Sequence, residues 1–454
     1  MHAATYDQSH IVGRALTAFL DVATIALTFA LGAMLWNEWV GLLGAFLYSV
    51  MPLAIQYAHF MVMESWVVFF WMLTILALVW WKKFPFQIRR ISLVGIALGC
   101  AVASKASSLL LAGLVIVNGA VLSLPVAALV FRFFQPTIFS SPSWTDWSIR
   151  PDFLRPFEFQ QAAIDGKVMF PPQWQWVHTT PWIFPFKNLF WWGVGPVTMT
   201  LALIGLGLLV LTAVRTRSWF LFTMWSFMIG SFFWQGGKFV KTLRYFLPFF
   251  PLYALLAAWT IWSIHRSRPR VGRFLSCVTI AIGLSFAVLF TSVYRTPQTR
   301  VTASRWIYDH IPRGTTIALE EWDDPLPLSL PQGDVSQYNT FQMQVYAPDD
   351  ENKQKLFDEW LQKSDWIVLS SRRAKGSVGK LPTEFPLTSR FYRNLDNGSL
   401  GFVKVVEFTS FPSFTIGTIK FQLDDSLAEE AFWVYDHPIV EIYQKKTSSS
   451  DRTQ

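Results

Sequence analysis

A succession of long apolar runs fills the first two thirds of the chain and sets what it can fold into. The runs cover roughly 12–36, 39–58, 65–81, 91–104, 108–134, 190–214, 218–234, 245–264 and 274–293. A helix that crosses a bilayer needs about 20 mostly apolar residues. The pattern therefore predicts a polytopic α-helical membrane protein with about nine or ten crossing helices, the run 108–134 counting as one piece or as two broken at Pro125. The first run is far too long for a cleavable signal, and residues 1–11 ahead of it are polar. A net charge of +8 does not point to nucleic acid, because the basic residues gather at the ends of apolar runs. Cys100 and Cys277 both lie inside such runs, so they read as packing residues and supply neither a disulfide framework nor a metal site.

Basic loops fix the orientation. Lys82, Lys83, Arg89 and Arg90 mark one cytoplasmic loop, Arg215 and Arg217 a second, and Arg266, Arg268, Arg270 and Arg273 a third. The N-terminal tip, the turn at 56–64, the connection 235–244 and everything after Tyr294 then fall outside. The segment 135–189 belongs outside as well, judged from the runs after it. This requires an odd number of crossings between residues 91 and 134, where two runs are evident. Either three short helices or one re-entrant run would satisfy the count.

Within this frame one stretch stands out, SVMPLAIQYAHFMVMES at 49–65. Pro52 breaks the second run, and Tyr57, His59 and Glu64 follow at the mouth of the next helix. A carboxylate at that position is costly to keep and has function as its default hypothesis. The competing reading is a helix cap, negative charge at a positive dipole end. The connection WQGGKFVKTLRYFLP at 234–248 places Lys238, Lys241 and Arg244 at intervals of three, one face if the segment is helical. Such a face suits a phosphate or pyrophosphate at the membrane surface. Snorkelling cations are the alternative, although these sit against the positive-inside trend. Lys105, a lone cation beside an apolar run, neutralises a carboxylate, binds an anion or snorkels. Asp21, deep in the first run with Arg14, reads as an intramembrane pair or packing group.

Segment 135–189 is rich in Pro and Trp, most densely in FPPQWQWVHTTPWIFPF at 170–186. Its indoles suit a membrane interface, or a platform for sugar rings with Trp174, Trp176 and His178. From about 295 the composition becomes that of a soluble domain, expected to span 295–446 with a disordered tail at 447–454. RWIYDHIPRGTTIALEEWDD reads as helix, turn and strand, KQKLFDEWLQKSD as an amphipathic helix, WIVLSS as a buried strand, and FVKVVEF and AFWVYDHPIVEIYQKK as further strands, which together suggest a small α/β layer domain. Glu320, Glu321, Asp323 and Asp324 form an acidic cluster at a strand end, read as a solvated turn, or as a group that binds a cation or lines a cleft. RRAKGSVGK at 372–380 imitates a phosphate loop but lacks its register, with Ala374 at the first glycine position and Leu381 after the lysine. Asn397-Gly398-Ser399 matches a glycosylation sequon. No metalloprotease, nucleophile-elbow or paired-cysteine motif occurs.

VGRALTAFLDVATIALTFALG, PLAIQYAHFMVMES, ALGCAVASKASSLL and LRYFLPFFPLYALLAAW, in this order, resemble the GT-C membrane glycosyltransferases. The similarity is to the dolichyl-phosphate-mannose–protein mannosyltransferase-like group and covers roughly residues 8–300. It implies transfer of a sugar (mannose or another hexose or pentose) from a polyprenyl-phosphate carrier to a protein, lipid or glycan acceptor outside the membrane. In that mechanism a carboxylate deprotonates the acceptor and basic residues stabilise the phosphate leaving group. The resemblance places Glu64 as the active-site acid and Arg244 and Tyr245 as the pair facing the lipid phosphate. Lys238 and Lys241 assist them, and Tyr57, His59, Lys105, Trp174, Trp176 and His178 line the sugar or acceptor pocket. No cofactor is implied beyond the polyprenyl-phosphate sugar, and a divalent metal is left open. The expected location is a bacterial or archaeal plasma membrane with the C-terminal domain outside. The family's leading carboxylate lies in a first outer loop after a first helix, neither of which this sequence contains, so Glu64 would be the second of a pair. A non-catalytic glycan- or partner-binding relative, or a lipid-linked sugar flippase, are the alternative functions.

Overall fold

The computed structural model describes residues 6–84 and 87–446, so the tail expected at 447–454 lies outside the described residues. The chain divides into two compact units, Met1–Asp165 with Thr180–Val288, and Gly166–Thr179 with Leu289–Gln454. The first is a polytopic helical membrane region and the second a strand-containing soluble domain. The stretch 135–189 contributes residues to both.

The helical unit comprises α1 (Tyr6–Leu35), α2 (Glu38–Ser49), α3 (Pro52–Ala58), α4 (Glu64–Lys83), α5 (Ile88–Ser104), α6 (Leu109–Val117), α7 (Leu124–Phe134), α8 (Pro151–Ile164), α9 (Ile183–Asn188), α10 (Pro196–Thr216), α11 (Trp219–Gly236), α12 (Phe250–Ser267) and α13 (Pro269–Thr291). Among the described residues five helices are long and apolar enough to cross a membrane, or six when α2 and α3 count as one bent span. Pro52 opens α3 after an extended Met51, and the pair bends by 68° there. The other predicted runs form helices that are shorter or less apolar.

Between residues 91 and 134 the chain forms three helices, α5, α6 and α7, that alternate in direction. Lys105 at the end of α5 meets Glu64 at the start of α4. Asn118 at the end of α6 accepts from Lys82 at the end of α4, 3.0 Å away. Gln135, after α7, donates to the Ala103 carbonyl near the end of α5. So α6 runs back and α7 returns. Asn118 caps the break, donating to Leu114 O and to Thr223 Oγ1 of α11.

Helix α12 is buried almost throughout, which explains its lack of a polar face. Small residues let its neighbours approach closely. A Cβ on Gly205 of α10 would stand 2.5 Å from Leu256 O and 2.8 Å from Thr260 Oγ1 of α12. Gly205→Ala is expected to destabilise the fold by about 1–3 kcal/mol. Thermal unfolding in detergent measures it, and an unchanged midpoint would mean the two helices can separate freely.

The soluble unit contains α14 (Thr299–His310), β1 (Thr316–Glu320), β2 (Asn339–Met343), α15 (Glu351–Lys363), β3 (Trp366–Leu369), α16 (Arg373–Gly376), α17 (Pro386–Asp396), β4 (Phe402–Phe408), β5 (Ser413–Ile416), β6 (Ile419–Gln422) and β7 (Val440–Lys445). Its main sheet has the order β2-β1-β3-β7-β4, with β1, β2 and β3 parallel and β7 antiparallel to its neighbours. Alternation along the strands divides the core. Ile317, Leu319, Val368 and Ile442 pack with α14 residues such as Ile307, while Ala318, Ile367, Leu369 and Tyr443 pack with Phe357 of α15 and Phe391 of α17. Of AFWVYDHPIVEIYQKK only the second half is strand.

The acidic cluster at the end of β1 is tied into the domain by ion pairs and hydrogen bonds, while Trp322 and Asp324 stay exposed as in the turn reading. Asp323 and Asp324 pair with Arg300 at 2.6 and 3.1 Å, and Glu321 accepts from the Tyr346 amide. The phosphate-loop mimic is spent in the same way, with Arg373 on Glu430 and Lys375 on Asp396 and Glu441. Glu320 is buried and accepts from Tyr392; burial pushes its carboxyl up to about 8, against the Tyr392 hydrogen bond. That folded value lies above the unfolded one of 4.5, so the folded chain binds more protons between them. The stabilisation is therefore complete below about pH 4.5 and lost as pH rises through about 8. Hydrogen exchange of β1 and α17 peptides in the full chain, corrected for intrinsic rate, is expected to show protection falling across this window. In Glu320→Gln the fall should shrink, and an equally steep fall there would assign it to other groups.

Candidate functional site

A cavity of about 540 Å³ lies within the helical unit, lined by Glu64, Lys105, Lys238, Arg244 and Tyr245 among apolar side chains. Glu64 is the first residue of α4, and Met63 before it makes no side-chain cap. It thus places negative charge in the first turn, as the capping reading required, and faces a cation as well. Lys105 ends α5 in an extended conformation that turns the chain toward α6. Its Nζ lies 3.2 Å from Glu64 Oε1, and the two side chains are 22% and 8% exposed. Breaking such a shielded pair by removing one partner leaves a charge poorly solvated.

Tyr245 organises the other cations. Lys105 Nζ stands 4.8 Å from its ring centroid and the Arg244 guanidinium 5.6 Å from the same centroid. A ring face attracts cations at this range, which gathers two positive charges beside one carboxylate. Trp71 supports the arrangement, donating to Ser108 Oγ at 2.9 Å and meeting Phe249 edge-on at 5.4 Å.

The connection 237–242 is not helical, because α11 ends at Gly236–Gly237. Lys238, Lys241 and Arg244 therefore share no helical face, contrary to the sequence expectation. Lys238 and Arg244 line the cavity, whereas Lys241 is buried with Nζ 3.0 Å from Phe239 O. Lys238 pairs with Asp165 at 2.8 Å, and the Val240 amide donates to Ile164 O at 3.1 Å. These two bonds fasten the end of α8, whose Phe157, Gln160, Gln161 and Ile164 form another wall of the cavity.

The remaining sequence candidates lie elsewhere. Tyr57 is buried with its ring edge to Phe60, and His59 is exposed with Nδ1 2.7 Å from Ile55 O; neither lines the cavity. Trp174, Trp176 and His178 belong to the soluble unit. There Trp174 meets Phe385 edge-on at 4.6 Å, Trp176 is buried, and His178 pairs with Glu384 at 2.7 Å. Asp21 has found a partner in Tyr48, whose hydroxyl donates to it at 2.6 Å. Sequence reasoning missed the α8 wall. Its signal was the polar pair Gln160-Gln161 following the aromatic residues Phe153, Phe157 and Phe159 in a stretch opened by Pro151. Among the described residues no group of three or more His, Cys, Asp or Glu could hold a metal ion.

Comparison with known proteins adds the following. The family model for dolichyl-phosphate-mannose-protein mannosyltransferase matches residues 4–135. No curated protein matches the chain. Among solved structures it is similar to the oligosaccharyltransferase of Archaeoglobus fulgidus tethered with an acceptor peptide, at 11% identity and a TM-score of 0.48, covering 91% of this chain and 63% of that one. The same archaeal enzyme in complex with an inhibitory peptide and a dolichol-phosphate is similar at 11% identity and a TM-score of 0.48, covering 91% of this chain and 64% of that one. ArnT from Cupriavidus metallidurans, bound to undecaprenyl phosphate, is similar at 12% identity and a TM-score of 0.44, with 82% and 80% covered. The chain thus spans less than two thirds of the archaeal oligosaccharyltransferase. This chain has a polytopic helical region followed by a strand-containing domain.

Proposed function

We propose that the protein is a membrane glycosyltransferase that moves a sugar from a polyprenyl-phosphate carrier to an acceptor hydroxyl. One observation carries this reading. A single largely apolar cavity brings a carboxylate, Glu64, together with Lys105, Lys238 and Arg244. An anionic head on an apolar tail is the ligand such a lining suits. Glu64 takes the proton of the acceptor hydroxyl as its oxygen bonds to the sugar's anomeric carbon. The bond from that carbon to the phosphate oxygen breaks, and its electron pair leaves with the phosphate. Arg244, with its planar fork, and Lys105 hold the charge that develops there. The partial family-model match at 4–135 agrees with this chemistry and includes both Glu64 and Lys105. Mannose on a polyprenyl carrier is the donor that the matching family's description favours.

The cavity faces the outside in this reading. Lys82 and Lys83 end α4 at the far end from Glu64, and Arg215 and Arg266 end α10 and α12, the distribution of a cytoplasmic side. The test is purified protein in liposomes carrying radiolabelled polyprenyl-phosphate hexose. Release of polyprenyl phosphate together with a labelled acceptor is expected. Donor binding without release, for peptide, lipid and glycan acceptors alike, would instead identify a non-catalytic binding relative.

A further inference from the structure

Lys105 stands between the two places where charge changes during the proposed reaction. Its Nζ is 3.2 Å from Glu64 Oε1 and 4.8 Å from the Tyr245 ring that also carries the Arg244 guanidinium, and all four residues line the same cavity. We infer that Lys105 exchanges partners during turnover, held by Glu64 when the donor site is empty and by the carrier phosphate once the sugar has left. This rests on the glycosyl-transfer reading above and names the step that couples donor to acceptor.

The charges explain why one lysine can serve both. The donor is a phosphodiester with a single negative charge. When its bond to the sugar breaks, the phosphate becomes a monoester carrying up to about one further negative charge. The acceptor's proton meanwhile neutralises Glu64, which then holds Lys105 no longer by charge. Negative charge has moved from one neighbour of Lys105 to the other, and the cation follows it. No atom other than the acceptor's proton and the sugar changes owner. Tyr245 supports the exchange: its ring centroid lies 4.8 Å from Lys105 Nζ, so the side chain moves beside a face that attracts it. In the empty site Glu64 serves as the counter-ion of Lys105, which spares a lone lysine in an apolar cavity. Lys105 is therefore a positioning residue for Glu64 and a direct ligand of the product phosphate.

Binding of a short-chain polyprenyl phosphate to the purified full-length protein tests this without requiring turnover. Glu64→Gln removes the competitor for Lys105 and is expected to tighten binding about 3- to 10-fold. Lys105→Gln is expected to weaken it at least about 10-fold, with Lys105→Arg recovering most of the loss. Because Lys105→Gln leaves Glu64 without its counter-ion, the double variant Glu64→Gln/Lys105→Gln provides a check on folding. It should bind as weakly as Lys105→Gln, since losing Glu64 helps only where Lys105 remains. A merely structural pair would weaken binding in both single variants. Unchanged or weaker binding in Glu64→Gln overturns the exchange, as does equal tightening in the double variant. Inorganic phosphate that displaces the lipid at equal concentration would overturn the lipid headgroup as occupant. Loss of transfer with the binding pattern intact would count against the glycosyl-transfer reading alone.

Discussion

Glu64→Gln is expected to reduce sugar transfer by about 10²–10⁴-fold while leaving the protein folded. The amide keeps the shape of the side chain and can still meet Lys105 through its oxygen, but it cannot take a proton at the acceptor. Glu64→Gln leaves Lys105 without its counter-ion, but Lys105 is 22% exposed and keeps the Tyr245 ring 4.8 Å away, which limits the cost to the fold. The loss should appear in turnover, with donor KM unchanged or lower. Steady-state kinetics with labelled donor measure it. Transfer within threefold of wild type would remove Glu64 from the chemistry.

Arg244→Ala is expected to act on the other substrate. Charge-assisted hydrogen bonds contribute about 1.5–3 kcal/mol each, so donor affinity should fall by about 10- to 100-fold. The exposed guanidinium beside Tyr245 makes this a binding effect more than a folding one. Arg244→Lys should recover only part of the loss, because an ammonium lacks the bidentate fork. Donor titrations on the three proteins give the measurement, and equal affinity in Arg244→Ala would take the phosphate away from this corner of the cavity. Lys241→Ala offers a contrast: its Nζ lies 3.0 Å from Phe239 O, so it should affect stability before donor affinity.

Much of this architecture could be read from the chain. Apolar length located the helices, and Pro52 located the bend between α2 and α3, because a proline cannot continue the hydrogen-bond ladder behind it. Glu64 and Arg244, both singled out in the sequence, line one cavity: Glu64 as a carboxylate at a helix start, and Arg244 as a cation against the positive-inside trend. What failed was spacing used as a proxy for a face. Lys238, Lys241 and Arg244 repeat by three, yet Gly236 and Gly237 end the helix that would align them. The Trp-rich segment divides, with Trp144, Trp147 and Trp182 exposed and Trp176 buried. An indole's preference for an interface is as well met by a protein core, and Trp174 took the ring edge of Phe385, more than 200 residues away in sequence. The pairing of Lys105 with Glu64 spans 41 residues, and only packing of α4 against α5 brings the two together. No local pattern records such a contact. The same holds for α8, whose end is fastened by the Asp165–Lys238 pair and by the Val240 amide on Ile164 O.

The most direct measurement is a structure determined with polyprenyl phosphate bound. The phosphate should lie within hydrogen-bond distance of Arg244 and Lys105, beside Tyr245, with Lys105 drawn away from its 3.2 Å contact with Glu64. Phosphate density outside the Glu64 cavity, with the Lys105–Glu64 pair unchanged, would contradict it.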